Sequence, residues 1–145
     1  MLLDAQTLLW DAAALTSDAA STNTYDSGSA SNDLTNGEEL VAVIQVDVAA
    51  DFTTGDETYQ FQVIQSANAN LASPDILASR TIAASALTAG SLHFIPVPPA
   101  SKTKRYLGLY FDGGGTTPTI TVTGWITSAQ MLQTNKAYAD AFDIT

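Results

Sequence analysis

Apolar residues in this chain recur at every second position, in short runs cut off by turn-forming residues. That period is the strongest constraint on its fold. Successive side chains of a strand point to opposite faces, so alternation marks a half-buried strand, whereas a helix needs a 3.6-residue period. The run Leu40–Val48 sets Leu40, Ala42, Ile44, Val46 and Val48 against Val41, Val43, Gln45 and Asp47. The run Thr58–Ser66 sets Tyr59, Phe61, Val63 and Gln65 against Gln60, Gln62 and Ile64. Shorter strand signals cover residues 21–26, 76–83 and 92–97, the last closed by Pro96, Pro98 and Pro99, which cannot continue a central strand. Residues 105–111 oppose Tyr106, Gly108 and Tyr110 to Leu107, Leu109 and Phe111, and Asp112-Gly113-Gly114-Gly115 reads as a turn. Residues 119–127 place Ile120, Val122, Gly124 and Ile126 inward, with Thr119, Thr121, Thr123, Trp125 and Thr127 on the other face. Loops rich in Gly, Ser, Asn, Asp and Thr separate these runs. Seven to eight short strands of this kind predict an all-β fold, an antiparallel β-sandwich or jelly roll.

The ends of the chain lack the alternation and read as extended terminal arms. Residues 1–20 form an N-terminal arm, residues 21–128 the sandwich, and residues 129–145 a C-terminal tail with a helical turn around 137–141. In the arm, Asp4, Asp11 and Asp18 recur every seven residues, but Thr7, Thr16 and Ser17 interrupt any helix and no base stands ready for pairing. Leu2, Leu3, Leu8, Leu9 and Trp10 are too apolar to be left in water, so the arm is expected to dock on a partner. At 145 residues the chain is one domain's worth and can bury a core without metal or disulfide staples.

Charge and composition exclude several classes of function. The formal net charge is −10, and the first 79 residues hold 12 acids and no base. Duplex binding needs a basic stripe, so no nucleic-acid partner is expected. The long uncharged runs, residues 81–101 and 113–135, are full of Ser, Thr, Gly and Pro, so no membrane partner is expected either. The N-terminus carries Asp4 and Asp11 where a cleaved signal would be basic and then apolar, so secretion by such a signal is not expected. There is no cysteine and one histidine, which removes thiolate chemistry and two-histidine metal motifs.

The remaining candidates for chemistry are weak. His93 has no nucleophile motif beside it. Asp51, Asp56 and Glu57 lack the ligand spacing of a calcium loop. The glycines at 113–115 lead into a strand, not a helix N-terminus, so they do not form a phosphate loop. No enzyme activity, cofactor or metal is expected. Interaction residues stand out instead. Lys102, Lys104 and Arg105 form a small basic cluster suited to an acidic protein surface. Trp125 is expected to pack against another sheet or subunit. The alternative is an aromatic platform for sugar built from Trp125, Tyr106 and Tyr110.

With the strands placed, the chain resembles the capsid cement (decoration) proteins of tailed bacteriophages, of the kind described in a short-tailed Bordetella phage. The residues that carry the resemblance are Leu3-Asp4-Ala5-Gln6, Ser21-Thr22-Asn23, Tyr25-Asp26-Ser27-Gly28, the strand from Leu40 to Val46 after Asn36-Gly37-Glu38, and Arg105-Tyr106-Leu107. It runs from residue 3 to about residue 127, while Phe52 and the tail depart from the pattern. The resemblance implies a jelly-roll-like sandwich on the outer surface of an assembled icosahedral shell, made in the host bacterial cytoplasm, with the major capsid protein as partner and no catalytic residues. With the charge split, it also implies a homodimer rather than a trimer, Lys102, Lys104 and Arg105 meeting acids of a neighbouring copy. A carbohydrate-binding β-sandwich for host-surface adhesion is the alternative function.

Overall fold

The computed structural model describes residues 7–28, 40–98 and 101–128. Leu2, Leu3 and the tail 129–145 lie outside the described residues. Among the described residues, nine strands follow in chain order: β1 (Leu8–Leu15), β2 (Ala19–Ala20), β3 (Tyr25–Asp26), β4 (Leu40–Val48), β5 (Thr58–Ser66), β6 (Asp75–Ile82), β7 (Leu92–Pro96), β8 (Tyr106–Gly114) and β9 (Ile120–Ser128). One short 3-10 turn, Ala84–Ala86, precedes β7.

The strands form two antiparallel sheets packed as a sandwich. One has the order β1-β9-β4-β7; the other has the order β2-β8-β5-β6, with β3 also on β8. β2 and β3 are one strand position interrupted at residues 21–24. The ladder bridges the gap through Ser21, whose N–H donates to the Leu109 carbonyl at 2.7 Å and whose Oγ accepts from the Leu109 N–H at 3.1 Å. Counted so, the topology is the eight-position jelly roll that the alternation predicted.

The core lies where the inward faces meet. β4 contributes Leu40, Ala42, Ile44 and Val46, β5 contributes Tyr59, Phe61 and Val63, β8 contributes Leu107, Leu109 and Phe111, and β9 contributes Ile120, Val122 and Ile126. The strands β4 and β5 run over the residues their alternation marks. Val48 departs from its expected face: a register shift after Val46 turns it out to 58% exposure.

β1 is the larger departure. From Leu8 onward the expected arm is an edge strand of the sandwich, paired with β9 from Leu8↔Trp125 to Leu15↔Ile120. Leu9 and Trp10 are buried in the chain's own core, and the Trp10 ring meets the Phe61 ring edge-on at 6.2 Å. They are therefore not an apolar arm seeking a partner. The period-2 signal is lost here because two register shifts interrupt the strand, one of them around Ala12, whose φ is +45°. The sandwich thus begins within residues 1–20, not at residue 21. β8 also runs on through Gly114, so the turn sits at residues 115–119 rather than at Asp112.

The loop 51–57 and the β8–β9 turn close one end of the sandwich together. The Tyr59 hydroxyl donates to the Asp51 carbonyl and accepts from the Thr119 N–H at 3.3 Å. Asp56 accepts from the Thr116 N–H at 3.0 Å and hydroxyl at 2.9 Å. At the opposite end lie the start of β1, the start of β4, the end of β7 and the end of β9, joined by Ile126 N–H to Thr7 carbonyl and Val97 N–H to Leu40 carbonyl bonds.

Candidate functional site

Two of the three residues of the basic cluster form ion pairs within the chain. Arg105 forks onto Asp26, with Nε to Oδ1 at 2.7 Å and Nη2 to Oδ2 at 2.9 Å. Its guanidinium also stands 5.2 Å from the Tyr106 ring centre. Lys104 pairs with Asp75 at 2.7 Å. Lys102 is 6% exposed, and burial lowers its ammonium below the ordinary value of 10.5. These three cations were expected to meet acids of a neighbouring copy. Within the chain, Lys104 and Arg105 hold Asp75 and Asp26, because the fold brings these acids of the acidic half beside them.

The sugar platform does not form as one surface. Leu107, Leu109 and Phe111 enter the core, so Tyr106 and Tyr110 lie on the outer face of the five-stranded sheet. Trp125 lies on the outer face of the four-stranded sheet, on the opposite side of the sandwich.

His93 is 8% exposed and faces inward with Ile95. Its Nε2 lies 3.0 Å from Ser91 Oγ, and that hydroxyl donates to the Thr88 carbonyl at 2.6 Å. The Ser91 hydroxyl thus links the imidazole to the Thr88 carbonyl. This is the geometry of a satisfied structural histidine. Burial, helped by Arg80, pushes its pKa below the ordinary 6.5.

The acids of loop 51–57 are likewise satisfied locally. Asp51 accepts from the Thr53 N–H at 3.1 Å, and Glu57 accepts from the Thr54 and Gly55 N–H groups at 3.1 and 2.9 Å. Hydrogen bonds from the Thr54 hydroxyl lower the Glu57 pKa, and those from Thr116 lower that of Asp56. The Arg105 fork lowers Asp26 most, to about 2.

These shifts make stability depend on pH. A group whose folded pKa is depressed stabilises the fold above its unfolded value and ceases to do so as pH falls through the folded value. His93 therefore withdraws its contribution first, as pH drops below its unfolded value near 6.5. Asp56, Glu57 and Asp26 do so next, below their unfolded values near 4. Thermal melts between pH 8 and pH 2 should show Tm falling in two stages. In Asp26→Asn the acid stage should be shallower; an identical slope would show that the Arg105 fork does not stabilise the fold.

One apolar surface lies on the outer face of the four-stranded sheet. The register sets Leu8, Trp125, Val43 and Phe94 side by side across all four strands. On one side of this row lie Thr127, Val41 and Pro96, and on the other Thr123, Gln45 and Leu92. Toward the far end the face turns polar, where Thr123 Oγ1 donates to Asp47 at 2.6 Å. The β7 side of the face is open to solvent, with Leu92 43% and Phe94 38% exposed. The β9–β4 side is not: Val41 and Trp125 are 5% exposed and Val43 is 0%. Trp125 Nε1 is buried and, among the described residues, has no hydrogen-bond partner. Leaving such a donor unsatisfied costs about 1–3 kcal/mol.

At the edges of the four-stranded sheet, Arg80 Nη1 donates to the Phe94 carbonyl at 3.0 Å on the β7 side, and two register shifts distort the β1 side.

The model of the Bbp16 family matches residues 9–131. The chain belongs to the Bbp16 family. The name points to a protein of a Bordetella phage, and the match spans all but the first residue of the jelly roll. A search of the curated proteins finds no match. Among the described residues no helix is long and apolar enough to cross a membrane. Of the candidate residues singled out in the sequence, Leu8 and Trp125 share this outer face, and Leu9, Trp10, Lys102, Lys104 and Arg105 lie elsewhere. Sequence reasoning missed Val43, Leu92 and Phe94. The alternation within β4 and β7 carried a signal for them, but only the pairing register shows that they adjoin Trp125.

Proposed function

We propose that this Bbp16-family chain is a capsid cement protein, bound to the outer surface of an icosahedral phage shell through the outer face of its four-stranded sheet. The observation that carries the reading is the exposed pair Leu92 and Phe94, set on a rigid sheet within an otherwise strongly acidic chain. Copies carrying ten net negative charges repel one another and any acidic neighbour, so lasting attachment is best made through an uncharged apolar surface. A jelly roll presents such a surface on the outer face of a sheet. Repeated over a shell, the contact bridges capsid subunits and opposes their separation under genome pressure.

The test is binding of the purified chain to expanded, undecorated shells. The side chains of Leu92 and Phe94 expose about two-fifths of their area, 43% and 38%. Covering what remains is worth about 1–2 kcal/mol for the pair. The double variant L92S/F94S should therefore bind shells about 10-fold more weakly. Shells carrying wild-type chain should release genome at a higher temperature than bare shells. If the wild-type chain ignores shells, the cement reading fails. If wild type and variant bind alike, the contact lies on another surface.

A further inference from the structure

Arg80 stands at the border of the exposed apolar pair. It lies on β6, at the edge of the five-stranded sheet, opposite Phe61 of β5. Its side chain crosses the flank of the sandwich to β7, at the edge of the other sheet, where Nη1 donates to the Phe94 carbonyl at 3.0 Å. The guanidinium is thereby held beside Phe94, and Leu92 lies two residues before Phe94 on the same face. Arg80 is itself exposed.

Its charge is uncompensated within the chain. Lys104 holds Asp75, Arg105 holds Asp26 and Lys102 is buried, so among the described residues Arg80 is the exposed base that no carboxylate meets. A guanidinium carries five N–H donors, and the Phe94 carbonyl takes one of them, at Nη1. Among the described residues the edge formed by Nε and Nη2 has no acceptor. That is the edge by which Arg105 grips both oxygens of Asp26, at 2.7 and 2.9 Å. A planar fork of this kind matches a carboxylate, and arginine beside an aromatic ring is a frequent anchor of protein interfaces.

We propose that Arg80 belongs to the shell-binding face, and that the shell surface it meets presents an aspartate or glutamate beside an apolar side chain. The carboxylate closes the Nε–Nη2 fork while the apolar group covers Phe94 and Leu92. The inference rests on the cement reading and adds to it the chemistry of the partner. A chain of net charge −10 repels an acidic surface unless an exposed cation meets it, and Arg80 is that cation. The face also has a direction. Asp47 lies on it four residues beyond Val43 along β4, about 13 Å away, whereas Arg80 lies beside Phe94, directly across from Val43. An acidic contact is drawn to the β7 border and repelled from the Asp47 end, so these charges set the register of a contact whose area is apolar.

The test compares the unmodified chain with R80Q and R80K in binding to expanded, undecorated shells. Two shell preparations are used: native, and with surface carboxylates converted to neutral amides by carbodiimide and ethanolamine. On native shells R80Q should bind about 10- to 100-fold more weakly, the effect of losing a charge-assisted pair. R80K keeps the charge and a donor for the Phe94 carbonyl but not the fork, and should stay well below the unmodified chain. A purely structural role for Arg80 would not depend on carboxylates of the shell. On amidated shells the unmodified chain should therefore fall to the level of R80Q, and R80Q should lose nothing further. Equal binding of the unmodified chain and R80Q to native shells, or an R80Q deficit that persists on amidated shells, would overturn the inference and leave the cement reading standing. R80K binding at the unmodified level would overturn the fork. An unmodified chain that ignores native shells would overturn both readings. Self-association of the free chain in sedimentation, lost in R80Q, would give the carboxylate to a second copy and overturn its assignment to the shell.

Discussion

Trp10→Ala should lower the unfolding free energy by about 3–5 kcal/mol, the range for removing a large aromatic side chain from a packed core. Trp10 is 1% exposed, meets Phe61 edge-on, and lies against the backbone of Gly124, where an added Cβ would stand 3.0 Å from its ring. The indole packs over Gly124 beside the Leu109 and Ile44 side chains, so its removal opens a hole at the centre of the core. For a domain of this size the total stability is about 5–15 kcal/mol, and the variant should sit near its unfolding midpoint at much lower urea. Deleting residues 1–12 should be worse. It removes Leu9 as well and strips β9 of much of its edge partner. Circular dichroism and urea titration read both. A midpoint unchanged by Trp10→Ala would show that the N-terminal strand is an accessory arm after all.

That outcome bears on how much of the molecule the sequence discloses. Where strands are regular, as in Leu40–Val48 and Thr58–Ser66, the alternation marks bounds and inward faces together, because the pleat enforces period two. Leu8–Leu15 carries Ala12, Ala13 and Ala14, poor strand formers, around a positive-φ residue, and its register shifts twice. Its strand character comes from pairing with β9, a contact more than a hundred residues away that no local pattern reports. The candidate surface was hidden for the same reason. Trp125 is visible as a residue, but Phe94 and Val43 become its neighbours only through the order β9-β4-β7. The basic cluster was legible as composition, but the pairing of Lys104 and Arg105 was not, since Asp75 and Asp26 meet them only after folding.

The second large effect is expected at Gly115, and it can be separated into its causes by comparison with Gly55. Both glycines hold φ at +83°, a left-handed conformation that costs an L residue about 1–2 kcal/mol. A Cβ at Gly55 meets nothing within 4 Å, so Gly55→Ala should show the conformational cost alone. A Cβ at Gly115 would lie 2.2 Å from the Asp56 carbonyl oxygen and 2.8 Å from Glu57 Cα, both backbone atoms with no rotamer to escape into. Accommodating it means separating the β8–β9 turn from the loop 51–57, at an overpacking cost of about 1–3 kcal/mol more. The separation would also stretch the bonds from Thr116 to Asp56 that join the two loops. Gly115→Ala should therefore destabilise by about 2–5 kcal/mol in all. It should also raise the Asp56 pKa toward its ordinary value, because the Thr116 bonds are the leading cause of its depression. Urea titration of both variants and an NMR titration of the Asp56 carboxyl measure the two effects. Equal destabilisation by Gly55→Ala and Gly115→Ala would show that the two loops are not in contact at this end, and that only backbone conformation is at stake.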